Sequence, residues 1–273
     1  MLSSVETTTP ALEIKTLSKR FGATVAIDSA SFRVAKGEFV AVLGSSGAGK
    51  STLFRCITQL TRADAGEVHL DGEPLSGLSG RNLMRARRSI GLIFQQFNLI
   101  GRMSALDNVL LGRIGHVPTW RVLLRQFSSA DRTLALEALD SVGLLERSYQ
   151  RADSLSGGQQ QRVAIARVIA QQCRVILADE PVASLDPATS DSVMQTLQAT
   201  ARERGLGVLC SLHQTDLALR YADRIIAMRA GKVILDARPD QISCATLRLL
   251  YDPTTAETEA TPAHLGHHHS TGK

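Results

Sequence analysis

The stretch that most constrains this chain is Gly44-Ser45-Ser46-Gly47-Ala48-Gly49-Lys50-Ser51-Thr52. It follows the apolar run Phe39-Val40-Ala41-Val42-Leu43 and leads into Leu53-Phe54-Arg55-Cys56-Ile57, which reads as helix. That is the strand, glycine-rich turn and helix setting in which a G-x-x-x-x-G-K-[ST] loop holds phosphate. Glycine lets successive backbone N–H groups curl toward one anion. The helix that starts near Gly49 aims its positive end at the same point. Lys50 adds a mobile cation for β- and γ-phosphates, and the Ser51 hydroxyl is placed to ligate Mg²⁺. A chance match in a chain this long is expected roughly once in a hundred. The loop is therefore read as a nucleoside triphosphate site.

Composition narrows the rest. The 273 residues suffice for one large domain or two small ones, and 44% hydrophobic with 21% charged residues describes a folded globular chain. Only 4% are aromatic, which argues against a stacking platform for single-stranded nucleic acid, and a net charge of +5 fits an ordinary Arg-rich surface. Nucleic acid is not expected as a partner. Cys56, Cys173, Cys210 and Cys244 lie far apart without a C-x-x-C pair, so buried free thiols in a reducing compartment are expected. The first residues lack the charged and apolar regions of a signal peptide, and no run approaches about 18 apolar residues. Anything this chain does at a membrane then requires another chain to hold it there.

Along the chain, Leu12–Leu17 and Ala30–Val34 alternate like strands, and Gly66–Gly72 reads as a short strand between turns. Arg81–Arg88 reads as an exposed basic helix and Ile90–Phe94 as a buried strand ending at Gln95. Between Phe97 and Ser154 helices are expected at Ser104–Leu111, Trp120–Phe127 and Ser129–Val142. The last opens with Ser128-x-x-Asp131 and carries Leu134, Ala138, Leu139 and Val142 on one face. The α/β pattern then resumes: helix Gln159–Gln171, strand Arg174–Ala178, helix Pro187–Arg204 with Asp186 as cap, strand Gly207–Leu212, and a hairpin over Arg224–Leu235. The segment after Asp252, with His267-His268-His269, is expected to be a disordered polar tail.

Two further motifs carry chemistry. Val175-Ile176-Leu177-Ala178 delivers Asp179 and Glu180 at a strand's C-terminal end, where ligands bind in open α/β sheets. Asp179 suits holding Mg²⁺ through water, and Glu180 suits polarising the attacking water. Leu155-Ser156-Gly157-Gly158-Gln159 is more specific, since a fixed string of five arises on the order of once in a million positions. Ser156 and the N–H groups of Gly157 and Gly158 open a helix and offer a second anion site.

With these motifs in order, the chain resembles the ATP-binding subunits of ABC transporters over residues 12 to about 250. The resemblance implies an α/β fold: a P-loop NTPase, RecA-like core with a small antiparallel β subdomain and an inserted helical subdomain. Core would span 12–96 and 155–252, helices 97–154, and a tail 253–273. It implies a head-to-tail homodimer in which each ATP, with Mg²⁺, lies between residues 44–52 of one copy and Ser156, Gly157, Gly158 and Gln159 of the other. Gln95 matches the glutamine that touches Mg²⁺ and the attacking water, Asp186 of Ser184-Leu185-Asp186 the loop crossing the dimer, and His213 the histidine that orients Glu180. Phe21 falls where an aromatic stacks on adenine, a place more often held by Tyr. The implied catalytic set is Glu180, His213, Lys50 and Gln95, and the metal set Ser51, Gln95 and Asp179.

A finer resemblance, to the ATP-binding subunits of phosphonate importers, rests on Ile93–Leu99, Thr119-Trp120-Arg121, Leu177–Pro187 and Ser211-Leu212-His213-Gln214. It implies membrane permease subunits and a periplasmic or extracellular substrate-binding protein as partners. It also implies a peripheral position on the cytoplasmic face of the bacterial inner membrane. Importers of phosphate, amino acids or metal ions share most of these motifs. Soluble ABC ATPases acting on nucleic acid share them too, but the short gap from Lys50 to Leu155 and the single cassette weigh against that reading.

Overall fold

The computed structural model describes residues 9–124 and 126–243. Cys244, the histidine run and the rest of the expected tail lie outside the described residues. Strands β1 (Leu12–Phe21), β2 (Thr24–Val34), β4 (Ala65–Leu70) and β5 (Glu73–Pro74) form an antiparallel sheet in the order β2-β1-β4-β5. A second sheet has the order β10-β9-β3-β8-β7-β6. Its strands are β3 (Phe39–Leu43), β6 (Ile90–Phe94), β7 (Val175–Asp179), β8 (Gly207–Leu212), β9 (Arg224–Arg229) and β10 (Lys232–Ala237). From β9 to β6 the pairing is parallel, and only β10 runs antiparallel, on β9.

Every residue of β3 and β8 is buried, as expected of parallel strands covered on both faces. Phe39, Ala41 and Leu43 face one core, and Val40 and Val42 face the other. The second core also takes in Leu12, Ile14 and Val34 of the antiparallel sheet and Leu53, Phe54 and Ile57 of helix α1 (Lys50–Ile57). The first gathers helices α3 (Ala105–Leu110), α5 (Ser129–Ser141), α6 (Gly157–Ala170) and α7 (Pro187–Arg204). The segment 97–154 thus shares one continuous core with the sheet, and α6 packs against both α3 and α5.

Local chemistry accounts for the helix ends. Asp186 caps α7 by accepting from the Thr189 N–H at 3.0 Å, Pro187 occupies the first turn, and Gly205 ends the helix in the left-handed region at φ 63°. Arg87, in the exposed basic helix α2 (Gly80–Arg87), donates to the carbonyls of Thr58 and Gln59 at the C-terminal end of α1.

The structure departs from the expectations in several places. The helix expected over Trp120–Phe127 is only α4, Thr119–Leu123. The Gln126 N–H reaches back to the Arg121 carbonyl at 2.8 Å, a five-residue closure that ends the helix. The helix expected over Ser104–Leu111 is α-helical over Ala105–Leu110, and Leu111–His116 form a 3₁₀ segment. Gly112 lets that segment lie on α6, because a Cβ there would come within 2.2 Å of the Arg167 carbonyl oxygen. In α5 the buried stripe is Asp131, Ala135, Ala138 and Leu139, and Leu134 is only half-buried at its edge. Asp131 is drawn inward because Arg113 of the 3₁₀ segment donates to it at 2.9 Å. Burial pushes that carboxyl's pKa up, but the Ser128 hydroxyl and the Arg113 guanidinium outweigh it and hold the group below its ordinary value. Helix α8 (Thr215–Tyr221), between β8 and β9, was not foreseen.

Candidate functional site

Parallel pairing sets the C-terminal ends of β3, β8, β7 and β6 side by side. These ends carry the loop 44–49, His213, Asp179 with Glu180, and Gln95. Most of the expected site residues therefore reach one edge of one sheet.

The loop after β3 wraps tightly. At Gly49 φ is 105°, and a Cβ would meet the Ala26 carbonyl oxygen at 2.4 Å. β2 thus presses on the loop from outside, and glycine is required twice over. Gly49 caps α1 with no side chain, so the amides of the first turn are left for an anion. Lys50 is buried, and its ammonium donates to the carbonyls of Gly44 at 2.6 Å and Ser45 at 3.3 Å. Burial lowers its pKa, and the nearby Glu180 and Asp179 carboxylates oppose that shift. Ser51 and Asp179 share the wall of a cavity of about 410 Å³ that runs along α1 and β6.

Glu180 sits just beyond β7 in the left-handed region, at φ 51°. Its Oε1 lies 2.5 Å from His213 Nε2. A carboxylate can only accept, so Nε2 carries the hydrogen. The Glu180 N–H donates to Ser211 Oγ at 3.0 Å, and that hydroxyl donates to Asp179 Oδ1 at 2.7 Å. Ser211 was not among the expected site residues. The sign of it in the sequence is a single hydroxyl within Val208-Leu209-Cys210-Ser211-Leu212.

Ser156 caps α6 in a full capping box: its hydroxyl accepts from the Gln159 N–H, and Gln159 Oε1 accepts from the Ser156 N–H at 3.0 Å. Gly158 faces Thr189 of α7 so closely that a Cβ would meet its Cγ2 at 2.2 Å, and Gly157 lies beside Leu185 and Phe97. Gln95 lines a cavity of about 690 Å³ with Phe97, Asp153, Gln160 and Ser184. It stands on the α6 side, apart from the cavity that Ser51 and Asp179 share. Phe21 ends β1 at the hairpin tip, half-exposed, with the Lys19 ammonium 5.3 Å from its ring centre. The same hairpin's β2 supplies the Ala26 that abuts Gly49. Asp186, besides capping α7, has its pKa lowered by the hydrogen bonds from Thr189.

Cys56, Cys173 and Cys210 are buried free thiols, as expected. Burial pushes Cys56 up to about 11 and Cys173 up to about 12, and Cys210 also upward, so none is a ready nucleophile. Among the described residues no helix is long and apolar enough to cross a membrane.

Residues 27–183 match the family model for the ABC transporter. The chain belongs to the ABC transporter family. It is 48% identical over 252 residues to the hypophosphite import ATP-binding protein HtxD of Stutzerimonas stutzeri, across 92% of this chain and 74% of that protein. It is 46% identical to the phosphonates import ATP-binding protein PhnC 1 of Rhodopseudomonas palustris, across 94% and 95%. A solved dimeric ATP-binding cassette, in a post-hydrolysis state bound to ADP and phosphate, superposes with a TM-score of 0.69 at 35% identity, covering 84% of this chain and 98% of that one. The α/β architecture is that of the ABC ATPase cassette. This ABC chain is thus an ATP-binding import ATPase that couples ATP hydrolysis to transport. Import ATPases of this family work peripherally at a membrane, and the solved cassette is itself a dimer.

Proposed function

We propose that this subunit hydrolyses ATP with Mg²⁺ in a head-to-tail homodimer, on the cytoplasmic face of the bacterial inner membrane, to drive phosphonate import. The observation that carries the chemistry is the Glu180–His213 hydrogen bond at the strand edge that also holds Lys50. Glu180 is the general base, and His213 fixes its carboxylate toward the attacking water. The amides of Ser45, Ser46, Gly47, Ala48, Gly49, Ser51 and Thr52 cradle the phosphates, with Gly44 shaping the turn. Lys50, released from the Gly44 and Ser45 carbonyls, reaches the β- and γ-phosphates. Phe21 offers its exposed face to adenine.

The donor set fits Mg²⁺. Asp179 and Ser51 supply hard oxygen ligands on one cavity wall, and Gln95 is the third candidate. Among the described residues no group of three His, Cys, Asp or Glu side chains is gathered to hold a metal. That suits a cation bound through one carboxylate and substrate phosphates. Held by Ser51, Asp179 and Gln95, Mg²⁺ would supply positive charge against the charge developing on the phosphate. Ser156, Gly157, Gly158 and Gln159 of a second copy would close over the γ-phosphate, and Asp186 would lie at the dimer seam. The stretch from Gln95 to about Arg125 is the candidate permease-facing surface. Within it Ile100, Ile114, Trp120 and Leu124 are exposed apolar side chains.

For the transported solute, support comes from the relatives named for phosphonate and hypophosphite import. Both solutes are phosphorus oxyanions, so the class is shared and the member is what experiment must decide. Uptake of labelled alkylphosphonate, hypophosphite and phosphate, in cells with and without this chain, separates them. Loss of phosphonate uptake alone is the expected result. Selective loss of hypophosphite uptake would move the assignment to that anion, and unchanged uptake of all three would discard the substrate class.

A further inference from the structure

Ser211 lies on β8 directly across from Asp179 of β7, and it is fully buried. Its hydroxyl makes two bonds at once. It donates to Asp179 Oδ1 at 2.7 Å and accepts the Glu180 N–H at 3.0 Å, while the Ser211 carbonyl takes the same N–H at 3.2 Å. Glu180 is a non-glycine residue at φ 51°. Such backbone persists where its surroundings over-determine it.

We infer that Ser211 is a positioning residue for hydrolysis, one that locks the metal-side carboxylate and the backbone of the general base to a single oxygen atom. The inference rests on the reading of Glu180 as base and Asp179 as the carboxylate toward Mg²⁺. A hydroxyl has one hydrogen, and a carboxylate only accepts. The Ser211 hydrogen is therefore committed to Asp179, and its lone pairs face the Glu180 amide. Glu180 N–H, Ser211 O–H and the Asp179 carboxylate form a chain in which every donor points the same way, so each bond polarises the next. Tying Oδ1 sets the plane of the Asp179 carboxylate and leaves Oδ2 for the ligand shell. Tying the Glu180 amide to the same oxygen holds the strained turn that aims its side chain at His213. The two carboxylates then keep a fixed offset.

A buried hydroxyl that is merely satisfied would affect stability and nothing else. The discriminating experiment uses the full chain with Ser211→Ala and Ser211→Thr, and Glu180→Gln in parallel. It measures ATP binding without divalent cation, Mn²⁺ affinity of the ATP-bound protein by electron paramagnetic resonance, and kcat and KM for ATP. For Ser211→Ala, metal-free ATP binding should be unchanged, Mn²⁺ affinity several-fold weaker and kcat lower by about tenfold or more, as loss of a charge-assisted hydrogen bond implies. KM for ATP should change little. Ser211→Thr, which keeps the hydroxyl, should recover most of both losses. An alanine variant with kcat and Mn²⁺ affinity within twofold of the native chain would overturn the inference. So would a threonine variant as impaired as the alanine one, or an alanine variant that no longer binds ATP without metal, since either assigns Ser211 to packing. Glu180→Gln separates the levels: its inactivity beside a normal Ser211→Ala variant sinks this inference alone, and its retained activity sinks the base assignment beneath it.

Discussion

The two glycine-rich helix starts of this chain, at α1 and α6, look alike in sequence and are finished in opposite ways. At α1 the cap is Gly49, no side chain accepts from the first turn, and Lys50 lies folded against the loop carbonyls. At α6 the Ser156–Gln159 capping box already satisfies the end reciprocally. The first start leaves its amides and its cation for a phosphate. The second uses a Ser156 lone pair and the Gln159 carbonyl oxygen for its own rigidity, and leaves the Ser156 O–H with the amides of Gly157 and Gly158 for a phosphate. The glycines differ too. Gly49 is forced by backbone conformation and by the Ala26 carbonyl, whereas Gly158 is forced by Thr189 on a neighbouring helix. One start is a primary phosphate cradle. The other is a stiff lid edge, built to meet a nucleotide held elsewhere.

The largest effect expected leaves both helix starts untouched. Glu180→Gln removes the base and keeps the shape, so kcat should fall by about 10²–10⁴-fold while ATP affinity is retained. With hydrolysis blocked, the α1 start of one copy and the α6 start of the other should remain together, and size-exclusion chromatography with ATP should give a stable dimer. Near-normal turnover, or a monomer that binds ATP yet never dimerises, would contradict this. Next comes Lys50→Ala, which breaks only the first start. Loss of a charge-assisted contact to phosphate should weaken ATP binding by roughly 10–100-fold. The check is equilibrium titration, and an unchanged dissociation constant would remove Lys50 from the phosphate site.

Much of this contrast was legible before the structure. The buried β3 run, the loop 44–52, Asp179 with Glu180, and the string 155–159 all rest on local rules that a sequence displays directly. The capping box was not anticipated, although Ser156 with Gln159 three residues on fits its pattern. What could not be read were consequences of distant packing. Ser211 looks like any residue in an apolar strand until β8 is laid beside β7 and its hydroxyl meets Asp179. Arg113 gives no hint that it will be buried against Asp131, Ala170 and Gln172, turning the end of α3 into a 3₁₀ segment. Helix α8 is short, and only Leu217 and Ala218 of it are buried, too few for a periodic signal. Nor does the sequence show that the Cβ position of Gly158 faces a threonine methyl on α7.

That methyl supplies the third prediction. In Gly158→Ala the new Cβ would stand 2.2 Å from Thr189 Cγ2, so α6 and α7 must separate or Thr189 must turn. Overpacking of this kind costs about 1–3 kcal/mol, a loss that urea denaturation of the purified chain would reveal. ATP binding to the separate subunit should survive, because the α1 start is unaffected. Gly158→Ala combined with Thr189→Ser removes the colliding methyl and should recover most of the stability. A double variant no more stable than the single one would show that the helix–helix contact is not what demands glycine here.

The smallest expected effect tests the capping box itself. In Ser156→Ala the Gln159 N–H loses its acceptor, and loss of an N-cap hydroxyl costs about 1 kcal/mol. Alanine does not otherwise disturb the turn. If α6 is a stiff edge that must meet a nucleotide on the other copy, this small local loss should slow hydrolysis in the dimer while leaving ATP affinity of the single subunit alone. Ser156→Asp gives the sharper arm. Aspartate is as good a cap as serine, so helix stability should be restored, but its negative charge would face the γ-phosphate across the dimer. Hydrolysis and ATP-driven dimerisation should then fall further than in the alanine variant, despite the repaired cap. If aspartate instead restored both stability and turnover, Ser156 would be a cap and nothing more, and the distinction between the two helix starts would reduce to one phosphate site and one ordinary helix end.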